Sequence, residues 1–183
     1  LSRKVGAIQL KQRERSREEL IAAMQGLIRQ GQQERARSNF DEAIKKCNQA
    51  MDKDPEKRQS KLFYEAEECV NKARSDRRGA ALALYKECLS YESSNRLMEA
   101  RSACNQALRK DREYAAAKTK LQSITARLRA TARENYQKAV TMQKANNYEL
   151  AITYYSQVME LVENPNDPLY KKAETKLQAL TGG

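Results

Sequence analysis

GQQERARSNFDEAIKKCNQAMDKDP, residues 31–55, holds small and aromatic side chains at fixed intervals: Gly31, Phe40, Ala43, Cys47 and Ala50, closed by Pro55. The steps are nine, three, four and three residues. The same steps recur through Cys88, Leu97, Ala100, Cys104 and Ala107, and again through Ala139, Tyr148, Ala151, Tyr155 and Val158. Steps of three and four place side chains on one face of an α-helix. Recurrence of such a face predicts stacked helix pairs, none of which can bury its apolar side alone.

Working outward, Leu20, Ile21, Met24, Leu27 and Ile28 form an apolar helical stripe that leads into Gly31 and on to about residue 37. Asn39, with Glu42 three residues later, reads as a capping box opening a second helix through Met51. Pro55 suits the start of the next helix, because its ring cannot continue the last. Upstream, residues 11–19 are wholly polar, so a helix there extends past the core, and Val5, Ile8 and Leu10 imply an apolar contact at its far end.

Successive motifs lie 57 and 51 residues apart, from Phe40 to Leu97 and from Leu97 to Tyr148. The added length is helical too. Leu62, Phe63, Ala66, Cys69, Val70 and Ala73 share one face, as do Tyr114, Ala117, Leu121, Ile124 and Leu128. Asp76-Arg77-Arg78-Gly79 is a candidate interruption of the first, since Gly costs about 1 kcal/mol relative to Ala in a helix. Nothing breaks residues 113–145, which predict one long helix. Thr119-Lys120-Leu121-Gln122 is echoed by Thr175-Lys176-Leu177-Gln178, and residues 168–180 read as a capping helix. No alternation of the strand kind persists.

Composition agrees. Of 183 residues, 32% are charged and 6% aromatic, with no Trp, six Gly and three Pro, which describes a helix-rich soluble chain. No apolar run approaches the roughly 20 residues that span a bilayer, and the start lacks a signal-peptide pattern. The expected organisation is a single helical repeat domain over 1–183, with motifs at about 20–55, 81–111 and 132–163. The missing initiator Met predicts a piece of a longer protein. Cys47, Cys69, Cys88 and Cys104 are too widely spaced for a CxxC metal site, and there is no His. They are expected to be buried free thiols, which points to a reducing cytoplasm.

The motifs resemble the tetratricopeptide repeat. That family places a small residue in the first helix, an aromatic near the turn, Ala early in the second helix, then an aromatic or small residue and a further Ala. Here Cys47 stands for the aromatic, Cys88 for Gly, and Val158 for Ala, and the spacing exceeds the usual repeat of about 34 residues. The resemblance implies an all-α solenoid of about three antiparallel helix pairs with extended first helices. It also implies a protein-binding groove on the first helix of each pair. The equivalent positions are Ile28 and Gln32, Tyr85 and Leu89, and Tyr136 and Val140. The family's Lys/Asn carboxylate clamp is absent from them, which leaves an apolar, aromatic surface for an amphipathic helix or extended peptide. Tyr85, Leu89, Tyr136 and Val140 are the expected partner contacts, with Arg29, Lys86 and Arg133 as flanking charges. The alternative is that the lengthened helices pack over these positions and bury them.

The excess of 35 Lys and Arg over 24 Asp and Glu suits acidic proteins, nucleic acid or anionic lipid, or is simply a solvated surface. It is concentrated at 3–17 and 109–133. Lys118, Arg129 and Arg133 share a face of the long helix, a partial stripe that keeps nucleic acid as the second partner class; self-association through an uncapped end is the third. No catalytic constellation is legible: there is no His, no phosphate-cradling Gly loop, and Glu65 and Glu68 sit one turn apart beside Lys61 and Lys72 as a solvated ion-pair surface. No enzyme activity and no cofactor are expected.

Overall fold

The computed structural model describes residues 2–56 and 58–182, with side chains from residue 9 onward. The described residues form seven helices: α1 (Ser2–Ala36), α2 (Phe40–Asp52), α3 (Lys61–Ser93), α4 (Leu97–Lys110), α5 (Ala115–Lys144), α6 (Tyr148–Val162) and α7 (Pro168–Thr181). The all-α class expected from the sequence is what is observed. Packing divides the chain into two compact units, Leu1–Ala80 and Ala81–Gly183, where the sequence reading treats 1–183 as one array.

Three turns share one backbone pattern. Ser38, Asn95 and Asn146 each take a left-handed conformation, with φ of 63°, 56° and 58°. The next amide donates back across the turn: Asn39 N–H to Glu34 O, Arg96 N–H to Tyr91 O and Asn147 N–H to Met142 O, each 2.9 Å. The left-handed residue itself donates to Arg35 O, Glu92 O or Gln143 O, at 2.9, 2.9 and 3.1 Å. These are Schellman turns, which satisfy the last carbonyls of the incoming helix. The residue closing each turn accepts the first bond of the outgoing helix, from Ala43, Ala100 or Ala151. Those three alanines are fully buried, as the periodicity requires. Three helix hairpins are therefore built alike.

In the first unit, Met24, Ile28 and Gly31 of α1 are buried, as are Ala43, Cys47 and Ala50 of α2, both at steps of four and three. The early part of α3 contributes Ala66, Cys69, Val70 and Ala73. Ile28, Ala50 and Ala66 form one cluster, and Cys47, Cys69 and Val70 another. Arg35 pairs with Asp76 at 3.5 Å and Arg77 with Asp41 at 2.8 Å, tying α3 to its neighbours. Residues 9–19 of α1 are exposed, with Arg17 paired to Glu56. Leu10 is solvent-facing; the side chains of Val5 and Ile8 lie outside the described residues.

In the second unit, Cys88, Ala100, Ala103, Cys104, Ile124 and Leu128 make one core. Ala132, Ala139, Ala151, Tyr155, Val158 and Ala173 make the next, and Leu161 packs against both. Asp167 caps α7 by accepting from Leu169 N–H at 2.8 Å, with Pro168 in the first turn. Arg101, buried on α4, holds the end of α6. Its guanidinium donates to Leu161 O at 2.6 Å and pairs with Glu163 at 2.6 Å, where the chain turns left-handed.

Four sequence expectations are corrected. The cysteines are not free: Cys47 is bonded to Cys69 and Cys88 to Cys104, with Cα separations of 6.1 and 5.3 Å. This removes the ground on which the cytoplasm was inferred, since disulfides persist in oxidising compartments. No break occurs at Asp76–Gly79; α3 runs through, because Gly79 sits on an open helix surface where its missing side chain leaves no packing gap. Asn39 forms no capping box. Its amide donates to Glu34 at 2.7 Å, and Glu42 pairs with Lys45 and Lys46. Pro55 does not open a helix: it lies in a turn in which the Asp54 carboxylate accepts from Glu56 and Arg58 N–H, and α3 begins only at Lys61.

Candidate protein-interaction surface

The Schellman turn after Ser93 fixes where the last turns of α3 point. Cys88 faces inward, bonded to Cys104. A second face carries Leu82, Tyr85, Lys86 and Leu89, at steps of three, one and three. Leu82 is 40% exposed and Leu89 37%, large values for leucine, while Tyr85 is half-buried and Lys86 open to solvent. Tyr85 is held edge-on by Tyr114, ring centroids 5.3 Å apart. Such a pair orients the ring and adds about 0.5–1.5 kcal/mol beyond area burial. Beside it, Lys120 of α5 reaches Glu92 at 2.8 Å, and this bond holds the lysine's pKa above its ordinary value. The exposed apolar part of the stripe is thus Leu82 and Leu89, with the Tyr85 ring beside them packed on the core. Leu82 escaped the sequence reading, although its spacing from Tyr85 and Leu89 carried the signal.

The remaining predicted contacts are placed differently. Tyr136 is half-buried against Tyr155, centroids 5.5 Å apart, and Val140 joins the same cluster. Leu169, Leu177 and Leu180 of α7 also pack on that cluster. Tyr155 is fully buried, with its hydroxyl donating to Gln143 Oε1 at 3.0 Å. Burial, and then the neighbouring Tyr136, raise its pKa. Ile28 is buried against Ala50 and Ala66, while Gln32 is exposed. Arg29 and Arg133 are exposed. Tyr85 and Tyr136 are thus placed alike, each half-buried and packed on its own core, as is Val140, while Lys86 and Leu89 lie exposed beside Tyr85.

The basic stripe of α5 is partly neutralised. Arg129 pairs with Asp167 at 3.0 Å and Lys118 with Glu113 at 3.8 Å. Among the described residues no helix is long and apolar enough to cross a membrane. No family model, no curated protein and no solved structure matches the chain.

Proposed function

We propose that this chain is a non-catalytic interaction scaffold of the tetratricopeptide kind, and that its α3 stripe takes an amphipathic helix of a protein partner. One observation carries the reading: Leu82 and Leu89 stand a heptad apart, both exposed, beside the half-buried ring of Tyr85. A partner helix with its own heptad of apolar residues can match that spacing. A surface held rigid by a disulfide and by hairpin packing loses little entropy on docking, which favours affinity. Lys86 at the rim supplies charge selection. The paired cysteines support work in an oxidising compartment.

The test places a photo-crosslinking amino acid at Lys86 and compares the chain with Leu82→Asp/Leu89→Asp in an extract of its source cells. The reading expects one dominant crosslinked protein whose crosslinked peptide is a helix, lost in the double variant while circular dichroism stays unchanged. Equal capture by both chains contradicts it. So does a crosslink to a second copy of the same chain, which would make the stripe an oligomer interface.

A further inference from the structure

A cleft of about 480 Å³ follows the outer face of α4, on the side of α3 opposite Leu82 and Leu89. Its lining residues on α4 run from Met98 to Lys110, roughly 18 Å of helix at 1.5 Å per residue. That length matches an extended peptide of about five or six residues at roughly 3.3 Å each. The volume lies within the range of about 300–1,000 Å³ typical of binding pockets.

The charges along it are uneven. Arg101 and Glu163 line the cleft but neutralise each other at 2.6 Å. Arg109 and Lys110 also line it, are exposed, and among the described residues form no ion pair. Between the two charged regions lie Asn105 and Gln106, whose amides can donate to and accept from a peptide backbone. Leu84 and Met98 give apolar ground at the margins. The cleft therefore carries two positive charges without an ion-pair partner, the amides of Asn105 and Gln106 and the Ser102 hydroxyl, beside the neutralised Arg101–Glu163 pair.

We infer that this cleft binds a short extended acidic segment of a partner protein, with carboxylates on Arg109 and Lys110 and backbone on Asn105 and Gln106. A polynucleotide fits less well. It wants a longer run of cations with aromatic rings for its bases, and the lining has no aromatic residue and includes the Glu163 carboxylate. The site is independent of the α3 stripe, and its test does not require that reading to hold.

Fluorescence anisotropy with labelled hexaglutamate tests it, beside labelled hexathymidylate. Three chains are compared: the unaltered one, Arg109→Glu/Lys110→Glu, and Lys171→Glu/Lys172→Glu. The last makes the same change in net charge on the exposed face of α7. The expected result is saturable hexaglutamate binding that weakens at least about tenfold in the α4 variant and stays within about twofold in the α7 variant, as removal of charge pairs at a contact should do. Equal weakening in both variants overturns the inference, since it reports only net charge. Absence of hexaglutamate binding, or tighter binding of hexathymidylate, overturns it too.

Discussion

The Sγ of Cys47 occupies the space that a side chain on Gly31 would need, with Cys69 Sγ 3.3 Å from the same point. The repeat's small position on α1 is small because a disulfide lies against it. Cys88 takes the equivalent position in the next hairpin and enters a disulfide itself, bonded to Cys104, the counterpart of Cys47. In the third hairpin the pair is Ala139 and Tyr155, and a buried ring fills the space. One crossing is thus filled in three chemical ways.

Gly31→Ala should therefore destabilise the first unit although Ala is the better helix former. Overpacking a tight contact costs about 1–3 kcal/mol. Gly79→Ala, with nothing within 4 Å of the added carbon, should stabilise by up to about 1 kcal/mol. Urea denaturation of both variants checks the pair, and the sign difference is the point.

Both disulfides should be present in the purified chain and should be structural. Thiol titration without reductant is expected to find none free. The sequence separations of 22 and 16 residues correspond to about 3 kcal/mol each in the chain-entropy description. Cys47→Ala/Cys69→Ala and Cys88→Ala/Cys104→Ala should each lower the melting temperature.

Arg101 should matter more than its partner Glu163. Arg101→Met strips the end of α6 of a donor to Leu161 O and leaves polar groups poorly satisfied, an expected loss of about 2 kcal/mol. Glu163→Gln leaves that donor in place and removes an ion pair whose acid is mostly exposed, an expected loss of at most about 1 kcal/mol. Chemical denaturation of the two variants gives the ranking.

Tyr155 sets an alkaline limit. Its pKa in the folded protein lies above the ordinary 10.0, so the fold retains a proton that the unfolded chain releases. The resulting stability is present below about pH 10 and is lost as pH rises through the folded value. Tyr155→Phe should be less stable at neutral pH, by about 1 kcal/mol for the lost bond to Gln143. The gap between the two proteins should narrow as pH rises past the ordinary tyrosine pKa. Unfolding followed across that window reads it directly.

Much of this was legible in the residues, and what was not has physical reasons. Helix pairs, turns and the long α5 followed from steps of three, four and nine, because burial on one helix face writes itself into local spacing. Cysteine pairing did not follow, since Cys69 lies outside the repeat motif and spacing alone does not say which residues meet. Gly79 read as a break because propensity is a weak term against a helix packed through Ala73 and Ala81 on either side. Of the positions expected to make contacts, Lys86 and Leu89 are exposed and Tyr85 is half-buried. Tyr136 and Val140 are half-buried like Tyr85, and spacing does not say how deep such side chains sit, because apolar and aromatic residues serve a groove or a core alike.

The most direct measurement is a stability series on Ala43→Leu, Ala100→Leu and Ala151→Leu, each followed by denaturant unfolding. If the three hairpins share one tight crossing geometry, every variant loses stability by about 1–3 kcal/mol, because each of these fully buried positions would then be overpacked by the added carbons. A leucine accepted at any one of them without loss would contradict the equivalence on which the repeat architecture rests.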